Sequence, residues 1–458
     1  MKQRFGHHGA RRTVAAFAAV SALVGSCGSA TADAASPLPA LPKPFPRATG
    51  WHDAGLAPIR GITIGPIEST LHPGVGYGSD ANGRAFDLAR ELGATWVAIT
   101  PFGRMWSTRT ASVDLVFEAP YQENRGAVAR AIAQAHARGL RVMLVPHLWL
   151  EAGGWRGEIE PGAPPDQKDS EGRYVFRARA TEPALRAFAA SYRRFVLAWA
   201  DLAEDNGVEL FSVGVELRSW ATSGRATDAL RSLVADVRAH YHGSLTYSAN
   251  WDDVDDTLLL PELDVIGINA FYPLADKAGA TRNELLAGGA RVASKVRTLA
   301  EAWHKPVLFT EVGYTTRPDP AVRPWEWPDT MVGVRVDEPA QADAYRAILA
   351  GVIGEPSFAG FFAWRLFADP DDVSQEAPWG FPVRGKAAEL VLRDAFASRW
   401  AGDGWRPVWT VFGAGTQGWP GLSWRYPEVG FGPLPSHEDA FGAARVAPWG
   451  FRSYPAAP

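Results

Sequence analysis

Two carboxylates stand where carboxylates are costly. Glu311 comes at the end of an apolar run in "KPVLFTEVGY" (305–314), and Glu216 does the same in "LFSVGVELRS" (210–219). Short β-branched and aromatic runs bounded by Pro and Gly read as buried strands, and an unpaired charge inside one costs several kcal/mol. A pair of such residues suits acid/base or nucleophilic work, in which one carboxyl donates a proton while the other attacks or activates water. Other chemistry-bearing side chains close similar runs: Glu68, Arg104, His147 and Trp149, then Asn250 with Trp251, Asn269 with Tyr272, and Trp364.

Those residues need elements to bring them together. Eight strand-like segments follow one another: 61–67, 95–102, 140–150, 209–217, 244–251, 263–272, 306–314 and 360–367. Most are continuous apolar runs, as expected of parallel strands buried on both faces. Helical patterns lie between them at 79–92, 124–138, 184–206, 226–241, 281–303, 339–353 and 386–397, and the first three stop before Gly93, Gly139 and Gly207. Only the link at 252–262 is short, with at most one helical turn. This alternation predicts a (β/α)8 barrel over residues 59–398. An open doubly wound sheet would want a Gly-rich phosphate loop after its first strand, and "GPIESTLHPG" is not one. In a barrel the strand C-termini share one mouth, so the polar residues above are expected to gather there.

The composition narrows the chemistry. The chain of 458 residues is 47% hydrophobic and 21% charged with a net charge of −4, and no basic block exceeds two residues, which argues against nucleic acid as a partner. His147 has no His or Cys partner at metal spacing, and "WDDVDD" (251–256) lacks the Gly-centred calcium-loop spacing, so neither a metal nor a cofactor is expected. Carboxylates, amides and aromatics without a metal cluster describe a site for sugar. The 19 tryptophans fit stacking on sugar rings as well as core packing.

Residues 1–34 read as an export signal, with basic residues before an apolar stretch (13–25) too short to span a membrane. Two exits remain open: ordinary cleavage near "ATADA" (30–34), or lipid modification of Cys27, the only cysteine, in the lipobox-like "VGSC" (24–27). The expected location is therefore the bacterial envelope or the medium, with a lipid anchor as the one membrane contact. Residues 35–58 form a Pro/Ala-rich tether, and 399–458 a Gly/Pro/Trp-rich extension. A monomer is expected.

The segments "WVAITPFGRM" (96–105), "GLRVMLVPHLWL" (139–150), "FSVGVELRS" (211–219), "LTYSANWD" (245–252), "LDVIGINAFYPL" (263–274) and "VLFTEVGY" (307–314), in this order, resemble glycoside hydrolase family 113, the β-mannanase family of clan A. The resemblance spans roughly residues 60–398. It implies a retaining hydrolase of β-linked polysaccharide or oligosaccharide, with β-1,4-mannan the foremost substrate, Glu216 as acid/base and Glu311 as nucleophile. The retaining geometry sets the carboxyls about 5–5.5 Å apart, and Glu216 must carry the proton when substrate arrives. His147, Trp149, Asn250, Trp251, Asn269, Tyr272, Trp364 and Arg104 are the expected sugar contacts, with Tyr272 also a candidate hydrogen-bond partner of the nucleophile. Many clan members place Asn before the acid/base to bind the sugar 2-hydroxyl; this chain has Val215, which leaves the contact to Asn250 or Asn269. Transglycosylation on the same scaffold and a non-catalytic sugar-binding lipoprotein are the alternatives, and Arg218 offers Glu216 a bland salt-bridge partner.

Overall fold

The computed structural model describes residues 58–401, apart from 67–73, 118, 172–173, 328–331 and 373–375. The export signal with Cys27, the tether through residue 57, Glu68 and the extension beyond 401 lie outside the described residues.

Twelve strands run in chain order: β1 (Ile59–Gly65), β2 (Trp96–Ile99), β3 (Phe102–Met105), β4 (Arg141–Leu144), β5 (His147–Leu150), β6 (Gln167–Lys168), β7 (Tyr174–Phe176), β8 (Leu210–Val215), β9 (Ser244–Asn250), β10 (Ile266–Asn269), β11 (Val307–Val312) and β12 (Phe358–Phe367). Eight of them close a parallel barrel in the order β1-β2-β4-β8-β9-β10-β11-β12 and back to β1. The helices are α1 (Asp80–Glu91), α2 (Tyr121–Ala137), α3 (Glu182–Asp205), the short α4 (Arg218–Ala221), α5 (Thr227–His240), α6 (Arg282–Trp303), α7 (Glu338–Val352) and α8 (Ala387–Ala397). Between β9 and β10 the crossover has two single 3-10 turns, Val254–Asp256 and Leu260–Glu262, one more than expected.

Both faces of the barrel strands are buried, which explains their unbroken apolar runs. Alternate residues such as Trp96, Ala98, Leu210, Leu308 and Phe362 fill the interior, while Val97, Ile99, Phe211 and Phe309 face the helices. Gly61 makes room for the interior Phe362, since a Cβ there would sit 2.4 Å from its ring. Outside the barrel the sequence signals act locally. Gly139 and Gly207 turn left-handed after α2 and α3 (φ 74° and 65°), and Thr281 with Glu284 forms a capping box on α6.

The second and third predicted strands are not continuous. Each breaks near a proline, Pro101 or Pro146, into a barrel half (β2, β4) and a half beyond the rim (β3, β5) that pair with each other in a separate two-stranded sheet. Proline has no N–H for the ladder, so the break falls where pairing would lose a donor. The rim sheet carries Arg104 and Trp149 as paired neighbours above the mouth.

Candidate active site

β8 and β11 are the fourth and seventh strands of the ring, and each slips register just before its carboxylate. On β11, Leu308 lies in the interior and Phe309 against the helices. Strict alternation would then send Thr310 inward and Glu311 outward. Pairing shifts between Phe309 and Val312 against β12, and between Ile268 and Asn269 of β10, so Thr310 and Glu311 both reach groups at the mouth. On β8 the shift lies between Ser212 and Val215, which puts Val215 into the interior cluster. Glu216 follows with φ 52°, a left-handed conformation that a non-glycine residue holds only when its surroundings enforce it.

One amide lies between the carboxyls. Asn269 Nδ2 donates to Glu216 Oε1 at 3.0 Å, Asn269 is the register partner of Glu311, and Thr310 Oγ1 donates to Asn269 Oδ1 at 2.9 Å and fixes which way the amide points. His147 Nε2 lies 3.2 Å from Glu311 Oε1, and its Nδ1 donates to the Val145 carbonyl at 2.8 Å. Glu216 Oε2 accepts the Trp155 indole N–H at 3.0 Å and has Arg156 Nε at 3.7 Å. All three titratable groups are buried, with 1% of His147, 7% of Glu311 and 9% of Glu216 exposed.

Burial and the neighbouring charge of Glu216 push the Glu311 carboxyl up to about 8, against the opposing charges of Arg156 and Arg365. Burial, followed by the charge of Arg156, pushes His147 down to about 3. The imidazole is therefore neutral at pH 7, with its one proton committed to Val145 and its bare Nε2 turned to Glu311. A protonated Glu311 donating to that nitrogen satisfies the contact. Glu311 thus holds its proton at neutral pH, because burial and the adjacent Glu216 disfavour its charge.

Trp364 of β12 stacks on His147 (6.4 Å between centroids, 26°) and clusters with Phe271 and Phe381. Its indole N–H is buried without a partner among the described residues. Trp251 stacks on Trp325 at 5.4 Å and contacts Tyr272. Trp149, 45% exposed, stands on the rim against Phe102 and Phe117.

One expected bond is not formed, and three other side chains have partners of their own. The Tyr272 hydroxyl has no hydrogen-bond partner among the described residues, because its ring lies between Trp251 and Phe309, so the expected bond to Glu311 is not formed. Asn250 bonds Asp252, and Asn269 is the amide that bonds Glu216. Arg104 forms its ion pair with Glu151 at 3.0 Å above the mouth. Arg218 does not pair with Glu216; it bonds the buried Asp253 at 2.6 Å and Asp252, so "WDDVDD" anchors Arg218 as well as forming a turn.

The strand-end reading missed Trp155, Arg156 and Arg365. Trp155 and Arg156 sit on the loop between β5 and α3, where no periodicity marks them. Arg365 follows Trp364 on β12, places its guanidinium 4.7 Å above that ring, and bonds Glu376 at 2.8 Å. A charge within a strand flanked by Trp and Leu was its one visible signal.

The family model for Glycoside Hydrolase Family 113 matches residues 75–378. A GH113 β-mannanase, AaManA from Alicyclobacillus acidocaldarius, solved in complex with ManMIm, is 25% identical with a TM-score of 0.61, covering 75% of this chain and 98% of that one. A GH113 β-1,4-mannanase solved as a complex is 22% identical with a TM-score of 0.59, covering 75% of this chain and all of the other. No curated protein matches the sequence. With its closed barrel and this match over most of its length, the chain belongs to glycoside hydrolase family 113 and is a glycoside hydrolase.

Proposed function

We propose that the protein hydrolyses β-1,4-linked mannan or manno-oligosaccharides by double displacement with retention. The observation that carries this reading is the placement of Glu216, bonded by Asn269, and Glu311, beside Asn269 and facing His147, at the mouth of a family 113 barrel. The similar structures described as β-mannanases support the choice of sugar.

Glu311 attacks the anomeric carbon while Glu216 protonates the departing glycosidic oxygen. Glu216 then takes a proton from water, which releases the sugar from Glu311. The pair needs one proton in all, and attack requires it on Glu216. Positive charge developing at the anomeric carbon beside Glu311 favours the ionised form there and drives that redistribution. Neutral His147 and the Asn269 amide then hold the nucleophile in line. Asn269 is the group we assign to the sugar 2-hydroxyl, since Val215 is buried in the barrel interior. Trp364, Trp149 and Trp251 supply ring faces for sugars.

We further propose that the enzyme is exported and works as a monomer outside the cytoplasm, released or held by a lipid on Cys27. Intact mass of the membrane-associated form tests the anchor.

Incubating the wild type and Glu311→Gln with β-mannan, glucomannan, cellulose, xylan and mannohexaose, with products read by chromatography, tests the reaction. Cleavage of mannan by the wild type alone is expected, with the β-anomer formed first in NMR. Transfer products longer than the substrate would favour transglycosylation. Binding without cleavage of any glycan would favour the non-catalytic reading.

A further inference from the structure

Trp155 lies outside the barrel strands, on the loop between β5 and α3, yet it makes one of the two N–H bonds to the Glu216 carboxylate. The other comes from Asn269, so each oxygen accepts one donor at 3.0 Å and rotation of the carboxyl plane is stopped from both sides. Such a restraint matters at this residue. Glu216 hangs from a backbone in the left-handed region beyond the last paired residue of β8, and nothing in its own strand orients the side chain.

The indole is itself held. The Arg218 guanidinium lies 4.7 Å above its ring, and Arg218 is tied to Asp252 and Asp253 after β9. Gly157 lies so close that a Cβ there would fall 2.3–2.5 Å from three ring carbons. The loop is pinned further along, with Glu160 and Gly162 N–H groups donating to Thr108 and Arg109 carbonyls at 2.8 Å and Ala180 N–H donating to the Glu160 carboxylate at 2.7 Å.

We infer that Trp155 is a positioning residue for the acid/base: its indole N–H, aimed by Arg218 and Gly157, sets the orientation in which Glu216 meets the glycosidic oxygen. This rests on the proposed role of Glu216. A tryptophan that merely filled space would act through its ring alone, and phenylalanine would replace it.

The test uses the full chain with Trp155→Phe, which keeps an aromatic ring, and Gly157→Ala, which leaves the indole present but displaced. Circular dichroism and melting temperature establish that both fold. The kcat/KM is measured on mannohexaose, whose poor leaving group needs protonation, and on dinitrophenyl β-mannoside, whose leaving group does not. Both variants should lose about tenfold or more on mannohexaose and less than about threefold on the aryl mannoside. Equal losses on the two substrates, or none on either, would overturn the inference.

A second readout needs no turnover, so failure of the mannanase reading and failure of the clamp remain distinguishable. The indole N–H resonance absent from the Trp155→Phe spectrum should shift and exchange faster with solvent in Glu216→Ala. A resonance indifferent to Glu216→Ala would show that the bond is not made.

Discussion

Glu311 and Glu216 stand at the same barrel mouth, yet one is held by strands and the other largely by a loop. Around Glu311 the packed neighbours come from the barrel or its immediate continuation, His147 on β5, Asn269 on β10 and Thr310 beside it, and the loop contributes only the charge of Arg156. Around the Glu216 carboxylate, Asn269 is the strand contribution among the described residues, and Trp155 and Arg156 come from the loop. The difference suits the two tasks in the proposed mechanism, in which the nucleophile must hold one line of attack through both steps. An acid/base faces the leaving side, where the aglycone departs and water enters, and adjustable loops line that side.

Substitutions can sharpen or break this comparison. The largest effect is expected from Glu311→Ala, a loss of about ten-thousand-fold or more in kcat on any substrate, about 5 kcal/mol of barrel-mouth catalysis. A loss below a hundredfold in a rate assay would remove Glu311 from the nucleophile role. Glu216→Ala should cost about a thousandfold on mannan but far less in kcat/KM on a dinitrophenyl mannoside, because only the first needs a proton. Equal losses would assign the proton elsewhere.

Asn269→Ala touches both sides at once, so about a hundredfold loss should appear on both kinds of substrate. A loss confined to mannohexaose would mean that Asn269 serves Glu216 alone.

Glu311 also predicts a pH-dependent stability cost. Its folded carboxyl titrates at about 8 against an ordinary 4.5. The folded state therefore keeps a proton that the unfolded chain has lost between those values. The favourable contribution is fully present below pH 4.5 and fades as pH rises towards 8. Glu311→Gln should match the wild type near pH 4 and melt a few degrees higher near pH 8, a difference on the order of 1–3 kcal/mol. Identical melting curves at pH 8 would show that the carboxyl is not strained by burial. His147 works in the opposite sense: neutral in the fold down to about 3, it costs stability as pH falls from 6.5 towards 3. The smallest effect is expected from Trp149→Ala on the exposed rim, a rise in KM of a few-fold with kcat kept, as for a sugar platform remote from the bond cleaved. A fall in kcat instead would place the rim sheet within the catalytic geometry.

The helix ends, the eight strand runs and the gathering of Glu216, His147, Asn269, Glu311 and Trp364 at one mouth were legible in the chain. They rest on local rules, apolar runs and glycine stops, together with the barrel's rule that strand C-termini share a face. The protein surroundings of Asn250 and Tyr272 were not legible. Asn250 and Tyr272 occupy strand-end positions like those of Asn269, and only packing decides that one turns to Asp252 and the other is walled in by Trp251 and Phe309.

By itself the sequence determined which carboxylates meet and on which strands, because strand order and strand-end position follow from periodicity. Tertiary structure alone decided how they meet. The register slips on β8 and β11 turn Val215 into the interior and Glu311 towards the mouth, and they depend on the pairing of neighbouring strands far away in the chain. The proton's resting place on Glu311, the tautomer of His147 and the arrival of Trp155 at Glu216 depend likewise on burial and on a loop folded across the rim. Such effects arise from the sum of many distant contacts, so no local pattern encodes them.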